Sequence, residues 1–265
     1  MLIADRAALL LLDARGRRRL PARAAATVLA GALLSELVLR GDLVADAGTG
    51  ALRARPAAAP GPRLAAALGA VTASGGDARR CVRALAARPL WDDAVAALGK
   101  SGAVRTERRR RFLVFTSVRW FPREGSVTAL RTQVRAALQA ARRRDRLAKA
   151  RAVDPATVSL VVLLAGAGCL PAVAPHLPGG LDTEEAADVL AEARDLTPQA
   201  REALEDVETA VSVRVHALTG GDSSSDTSTS GSGDDHHGGS DGDSGGGSGG
   251  GSDGGGDGGG GGGGD

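Results

Sequence analysis

The run from residue 24 to residue 41 constrains this chain more than any other. Its apolar residues fall at 28, 29, 32, 33, 34, 37, 38 and 39, with Ala30 and Gly31 between them. That spacing covers most of the girth of a helix and predicts one buried on nearly all sides. Pro21 suits the start of such a helix. Gly41 stands where a left-handed residue ends one, and Arg40 lies in its last turn, where a cation suits the dipole. A helix of this kind needs other helices packed around it, and the rest of the chain offers them.

Ahead of it, residues 7–13 form a Leu-rich segment, strand or helix, closed by a turn at Gly16. After it, residues 42–45 can make a short strand, and 46–62, rich in Gly, Pro and Ala, a loop or weak hairpin. Helical patterns follow at 63–72, at 78–88 behind an Asp77 N-cap, and from Pro89 to a stop at Lys100-Ser101-Gly102, with Trp91, Val95 and Leu98 inward. Residues 103–121 hold all three Phe, one of the two Trp and several β-branched residues, which predicts a β-hairpin. Helix resumes at 127–150. Asp154-Pro155 and Thr197-Pro198 are N-cap and N1 pairs for helices over 156–167 and 199–218, and a further helix is expected over 184–194, after a Pro-rich connector at 169–180. The fold class is mainly α: a single helical domain with a protruding β-hairpin and short strands.

No large apolar residue follows Leu218. Residues 220–265 are Gly, Ser, Thr, Asp and two His, a composition that cannot bury enough surface to offset backbone entropy. The expected division is therefore a folded region, 1–219, and a disordered acidic tail, 220–265. The tail also masks the charge. It holds nine Asp and no Lys or Arg, so 33 bases stand against 22 acids in the body, a net +11 where the whole chain shows +2. Such a body favours anionic partners: lipid headgroups, an anionic bilayer or nucleic acid.

Cys81 and Cys169 are too few for a disulfide scaffold or a zinc site and read as small core residues. No run resembles a signal peptide, and the longest apolar runs, 24–34 and 158–167, fall short of the ~20 residues that span a bilayer. No nucleophile motif, Walker loop or dinucleotide fingerprint stands in the sequence. The carboxylate pairs Asp92-Asp93 and Glu184-Glu185 each open a helix, where they complement its dipole. His236 and His237 read as part of a polar tract. These features argue against an enzyme, a cofactor or a metal centre.

Two basic features remain. Arg17, Arg18 and Arg19, with Arg23 close behind, precede the central helix. Arg108, Arg109, Arg110 and Arg111 stand beside the aromatic segment with Phe112, Phe115, Trp120 and Phe121. Cations next to exposed aromatics suit a membrane surface, with Arg at the headgroups and Trp or Phe at the interface. The same aromatics could instead pack in a core or between copies of the chain. Nucleic acid is the weaker partner, because no recognition helix or Gly-aromatic strand motif is present.

The order of elements and several strings resemble the Golgi phosphoprotein 3 family in its bacterial, actinobacterial branch. The matching pieces begin with Leu9-Leu10-Leu11-Leu12-Asp13 with Gly16, and the 31–41 helix carrying Glu36-Leu37-Val38-Leu39-Arg40-Gly41 before Asp42-Leu43. They continue with the helix ending Ala84 to Arg88, the Lys100-Ser101-Gly102 turn ahead of strand 112–115, and the apolar helix 158–164. The resemblance covers about residues 1–218. It implies a helical domain whose hairpin serves membrane contact and oligomerisation. It also implies a peripheral adaptor on the cytoplasmic face of membranes, Golgi in eukaryotes, that binds phosphatidylinositol 4-phosphate. Carried over without gaps, the family's headgroup Trp falls at Pro21, its first Arg at Ala30, and its later Arg pair at Arg88 and Trp91. Arg88 is thus retained, with Arg17, Arg19 and Arg23 near enough in sequence to substitute for the others.

Overall fold

The computed structural model describes residues 1–55, 61–111, 115–142, 152–174 and 183–220; at 108–111, 115–117, 142, 183 and 184 the description is of the backbone alone. The chain runs α1 (Ile3–Leu10), α2 (Ala22–Leu39), β1 (Leu43–Ala45), β2 (Leu52–Ala54), α3 (Pro62–Ala73), α4 (Ala78–Ala86) and α5 (Leu90–Lys100). It continues through β3 (Val104–Arg111), β4 (Phe115–Pro122), α6 (Glu124–Arg142), α7 (Pro155–Gly166), α8 (Leu170–Val173), α9 (Thr183–Glu192) and α10 (Pro198–Thr219). The expected tail lies outside the described residues apart from Gly220.

α2 is the axis. Fourteen of its 18 residues are buried, and α1, α3, α4, α5, α7 and α10 all pack on it. By length and composition alone α2 is apolar enough to cross a bilayer, which the run lengths in the sequence did not suggest. Yet 78% of it is buried inside the protein, as in the core helix of a globular fold. The string 36–41 has structural work. Glu36 Oε2 accepts the Ile3 N–H at 2.9 Å, satisfying an orphan donor at the start of α1. Arg40 pairs with Asp42 at 3.0 Å, and Gly41 sits at φ +76°, where it reverses the chain into β1. At the start of α1, Asp5 takes both Nη atoms of Arg63 at 2.7 and 3.0 Å and so ties α1 to α3.

Local punctuation shaped the remaining elements as the sequence suggests. Of residues 7–13, those up to Leu10 resolve as the end of α1, and Leu12 makes an isolated antiparallel bridge to Arg18. The weak hairpin is real: β1 pairs antiparallel with β2, Leu43 opposite Ala54 and Ala45 opposite Leu52. Asp77 caps α4 through the Arg80 N–H at 2.7 Å, and Thr197 caps α10 through the Ala200 N–H. α4 stops at Ala86, two residues earlier than expected, because Pro89 disfavours helical geometry at Arg88. In α5 Leu90, rather than Trp91, turns fully inward with Val95 and Leu98; Trp91 is half-buried. The connector after Cys169 is not all loop, since Leu170–Val173 make a helical turn. The part of the 127–150 helix beyond Arg142 lies outside the described residues. Both cysteines are free and buried.

Asp154 holds the start of α7, accepting from the Ala156 N–H at 3.3 Å, Thr157 Oγ1 at 3.0 Å and Arg6 at 3.3 Å. Partial burial works to raise its carboxyl, but these bonds outweigh it and hold the group below the ordinary carboxylate range. A depressed folded pKa stabilises the native state above the unfolded value and loses that contribution as pH falls through the folded one. Asp154→Asn should therefore flatten the acid limb of the stability profile. Urea midpoints between pH 5 and pH 2 measure it, and an unchanged acid limb would contradict the assignment.

Candidate functional site

The basic stretches sit on different supports. Residues 13–17 form a tight turn in which Asp13 Oδ1 accepts the Arg15 and Arg17 N–H groups at 2.8 and 2.7 Å. Gly16, at φ +71°, closes it against β4, so tightly that a Cβ there would lie 2.5 Å from the Trp120 carbonyl oxygen. The Arg19 N–H then donates to Leu11 O at 2.8 Å, which lays residues 17–20 along the end of α1. This scaffold leaves Arg17, Arg18, Arg19 and Arg23 exposed, with Arg23 in the first turn of α2. Among the described residues none of the four forms an ion pair with a carboxylate.

Arg18 lies over the Trp91 ring at 5.6 Å, a cation–π contact that returns a positive charge to one of the positions where the resemblance left an aromatic ring. Arg88 is exposed and donates weakly to Ala66 O at 3.5 Å. It lines a cleft of about 380 Å³ together with Arg63, Asp93 and Lys100. Arg17, Arg19 and Arg23 do not line that cleft, so the four expected headgroup residues do not form one cluster there.

The hairpin pairs Val104 with Pro122 at its base and Arg111 with Phe115 at its far end. Arg108, Arg109, Arg110 and Arg111 are therefore the distal half of β3. Phe112 lies outside the described residues, and Phe115 begins β4. Trp120 and Phe121 stand opposite Thr106 and Arg105, at the proximal end. Trp120 is half-buried against the core, with its ring 3.0 Å from where a Cβ on Gly99 would be. Phe121 is half-buried under Arg105, whose guanidinium lies 5.8 Å from the ring and also pairs with Glu107 at 2.8 Å. Trp120 thus anchors the hairpin to α5 and, through its carbonyl, to the Gly16 turn, while the arginine run lies toward the far end of β3.

One cationic group was not singled out by sequence reasoning. Arg131, one turn before the half-buried Arg135 on α6, lies within electrostatic reach of Arg19. Their four-residue spacing was visible, but nothing in the sequence tied α6 to a residue more than a hundred positions earlier.

A helical domain wound around one buried helix, carrying a basic two-stranded hairpin, is the class of protein defined by this fold. The chain belongs to the Golgi phosphoprotein 3 (GPP34) family, whose model matches residues 3–211. No curated protein matches the chain.

Proposed function

We propose that this protein is a peripheral membrane protein that contacts anionic lipid through its basic face and its hairpin, in the manner of the phosphatidylinositol 4-phosphate-binding adaptors of its family. The observation that carries this reading is the set of exposed arginines at 17, 18, 19 and 23, held on the segment from the Asp13 turn to the start of α2 and left without carboxylate partners among the described residues. Unpaired surface cations are attracted to an anionic leaflet by about 1 kcal/mol each near the surface. The arginines at 108–111 add a second cationic element, and Arg88 with Lys100 a third. The working site is the cytoplasmic face of a membrane, which in eukaryotic relatives is the Golgi.

The hairpin carries an alternative. β3 and β4 form a two-stranded sheet with no third strand among the described residues, and an unpaired edge is a template for a second copy. Under that reading the protein self-associates through the hairpin and has lost lipid recognition. Co-sedimentation with phosphatidylcholine vesicles, with and without phosphatidylserine, separates the two. Replacing the four arginines at 108–111 by Gln should lower binding to the anionic vesicles at least about tenfold, since each contributes on the order of 1 kcal/mol. Wild-type vesicle binding that survives the replacement unchanged would remove the hairpin from the lipid contact. A hairpin-dependent oligomer that ignores vesicles would favour the alternative.

A further inference from the structure

α4 carries three arginines in nine residues, and two of them work against the helix. Cys81, Val82 and Leu85 turn into the core, which leaves Arg79, Arg80 and Arg83 exposed. Arg79 and Arg80 stand in the first turn, where a cation opposes the helix dipole, and no Asp or Glu accompanies them in that turn. The Asp77 carboxylate is engaged as the N-cap, accepting the Arg80 N–H at 2.7 Å. None of the three guanidiniums has an acceptor among the described residues, whereas Arg6, Arg40, Arg63 and Arg194 are each given a carboxylate. Arg80 and Arg83, three positions apart, are neighbours on one helix face, and both line a cleft of about 500 Å³ between the end of α3 and α4. Ser74 and Gly75, from the turn that ends α3, line it too, with Ala84 and Ala87. That turn adds no bulk to the cleft: Gly75 has no side chain, and a Cβ there would meet nothing within 4 Å. Among the described residues no carboxylate lines the cleft.

Packing does not account for this arrangement. A neutral residue at position 80 would leave the core untouched and suit the first turn better, and like charges one turn apart work against each other. A local rule broken without a structural return marks a functional position. What fits two guanidinium forks lining one cleft is a compact anion with several oxygens. Each fork can donate in parallel to two of them, and the anion's charge offsets the mutual repulsion and, for Arg80, the opposition of the dipole. From this geometry we infer that Arg80 and Arg83 form a binding site for a phosphomonoester in the cleft between α3 and α4. The cleft has the volume of an ordinary ligand site, with room for a sugar-sized group beyond the phosphate, against Ala84 and Ala87. Arg88, where one of the family's headgroup arginines falls, lines a different cleft and not this one. The inference does not rest on the membrane reading, because a phosphorylated metabolite and a lipid headgroup present the same phosphate.

Thermal melting and calorimetry of the full chain with inorganic phosphate, against sodium chloride at matched ionic strength, test the site. Phosphate should bind saturably and raise the wild-type Tm, and chloride should not. The double variant Arg80→Gln with Arg83→Gln should lose phosphate affinity at least about tenfold. Arg80→Gln alone should weaken binding in the same direction, yet without phosphate it should melt no lower than wild type, because it relieves the first turn. Arg123→Gln, an exposed arginine just ahead of α6, should respond to phosphate as wild type does. A phosphate response equal to that of chloride overturns the site, as does wild-type affinity in the double variant. A lower Tm of Arg80→Gln without phosphate also overturns it, since the arginine would then be structural. Glucose 6-phosphate and vesicles containing phosphatidylinositol 4-phosphate identify the source of the phosphate. Vesicle binding that inorganic phosphate competes away, and that the double variant weakens, makes the ligand a lipid headgroup. Binding of glucose 6-phosphate that the double variant loses, with vesicle binding indifferent to that variant, makes it a soluble phosphomonoester and leaves the site standing without the lipid.

Discussion

Glu208→Ala should destabilise the protein by about 3–5 kcal/mol, the usual cost of stranding one partner of a buried ion pair. Arg194 has only 1% of its side chain exposed. Its Nη atoms donate to the two Glu208 oxygens at 2.7 and 2.8 Å, a bidentate pair that joins the end of α9 to α10. The remaining donors are also placed, Nε on Ala191 O at 3.2 Å and an Nη on Ser159 at 3.3 Å. Burial pushes the Glu208 carboxyl up, and Arg194 works against that. Removing Glu208 leaves a charged guanidinium in the core without its bidentate partner. Replacing both residues with apolar ones, Arg194→Met with Glu208→Leu, should recover most of the loss, since no charge then remains to desolvate. Urea unfolding measures both. A single-variant loss below 1 kcal/mol would contradict the account of this pair.

Gly31→Ala is the second large effect. Glycine in mid-helix costs about 1 kcal/mol against alanine, so the exchange would stabilise a free helix. Here α2 crosses α7 and α10 at Gly31, and an added Cβ would stand 2.4 Å from Val211 Cγ2 and 3.1 Å from Leu163 Cδ2. Both neighbours are fully buried, with no room to retreat. The expected outcome is a net loss of about 1–3 kcal/mol from overpacking, and Gly31→Leu should not fold. Val211→Ala removes the clashing methyl, so the double variant should be markedly more stable than the sum of the two single losses predicts. Additive losses would mean that the helices are not in contact at this glycine.

These two sites illustrate what the sequence discloses. Helix ends were readable because they are local: Asp77, Asp154-Pro155, Thr197-Pro198 and Gly41 act on backbone groups within four residues. The burial of α2 was readable because nearly all its positions are apolar. Gly31, by contrast, looked like an ordinary small residue, because its reason lies on α7 and α10. The candidate site was less legible for the same cause. Arg17, Arg19 and Arg23 are exposed, while Arg88 lines a cleft that they do not. Trp120 reads as a membrane residue until Gly16 and Gly99 are seen to receive it.

Flotation of the full chain with vesicles at physiological salt tests the central claim most directly. Four compositions are needed: phosphatidylcholine alone, and the same lipid with phosphatidylserine, phosphatidylinositol or phosphatidylinositol 4-phosphate. The account predicts no flotation with the neutral lipid, flotation with the anionic lipids that falls as salt rises, and the strongest flotation with the 4-phosphate. Failure to float with any anionic composition, or equal flotation with neutral lipid, would contradict it.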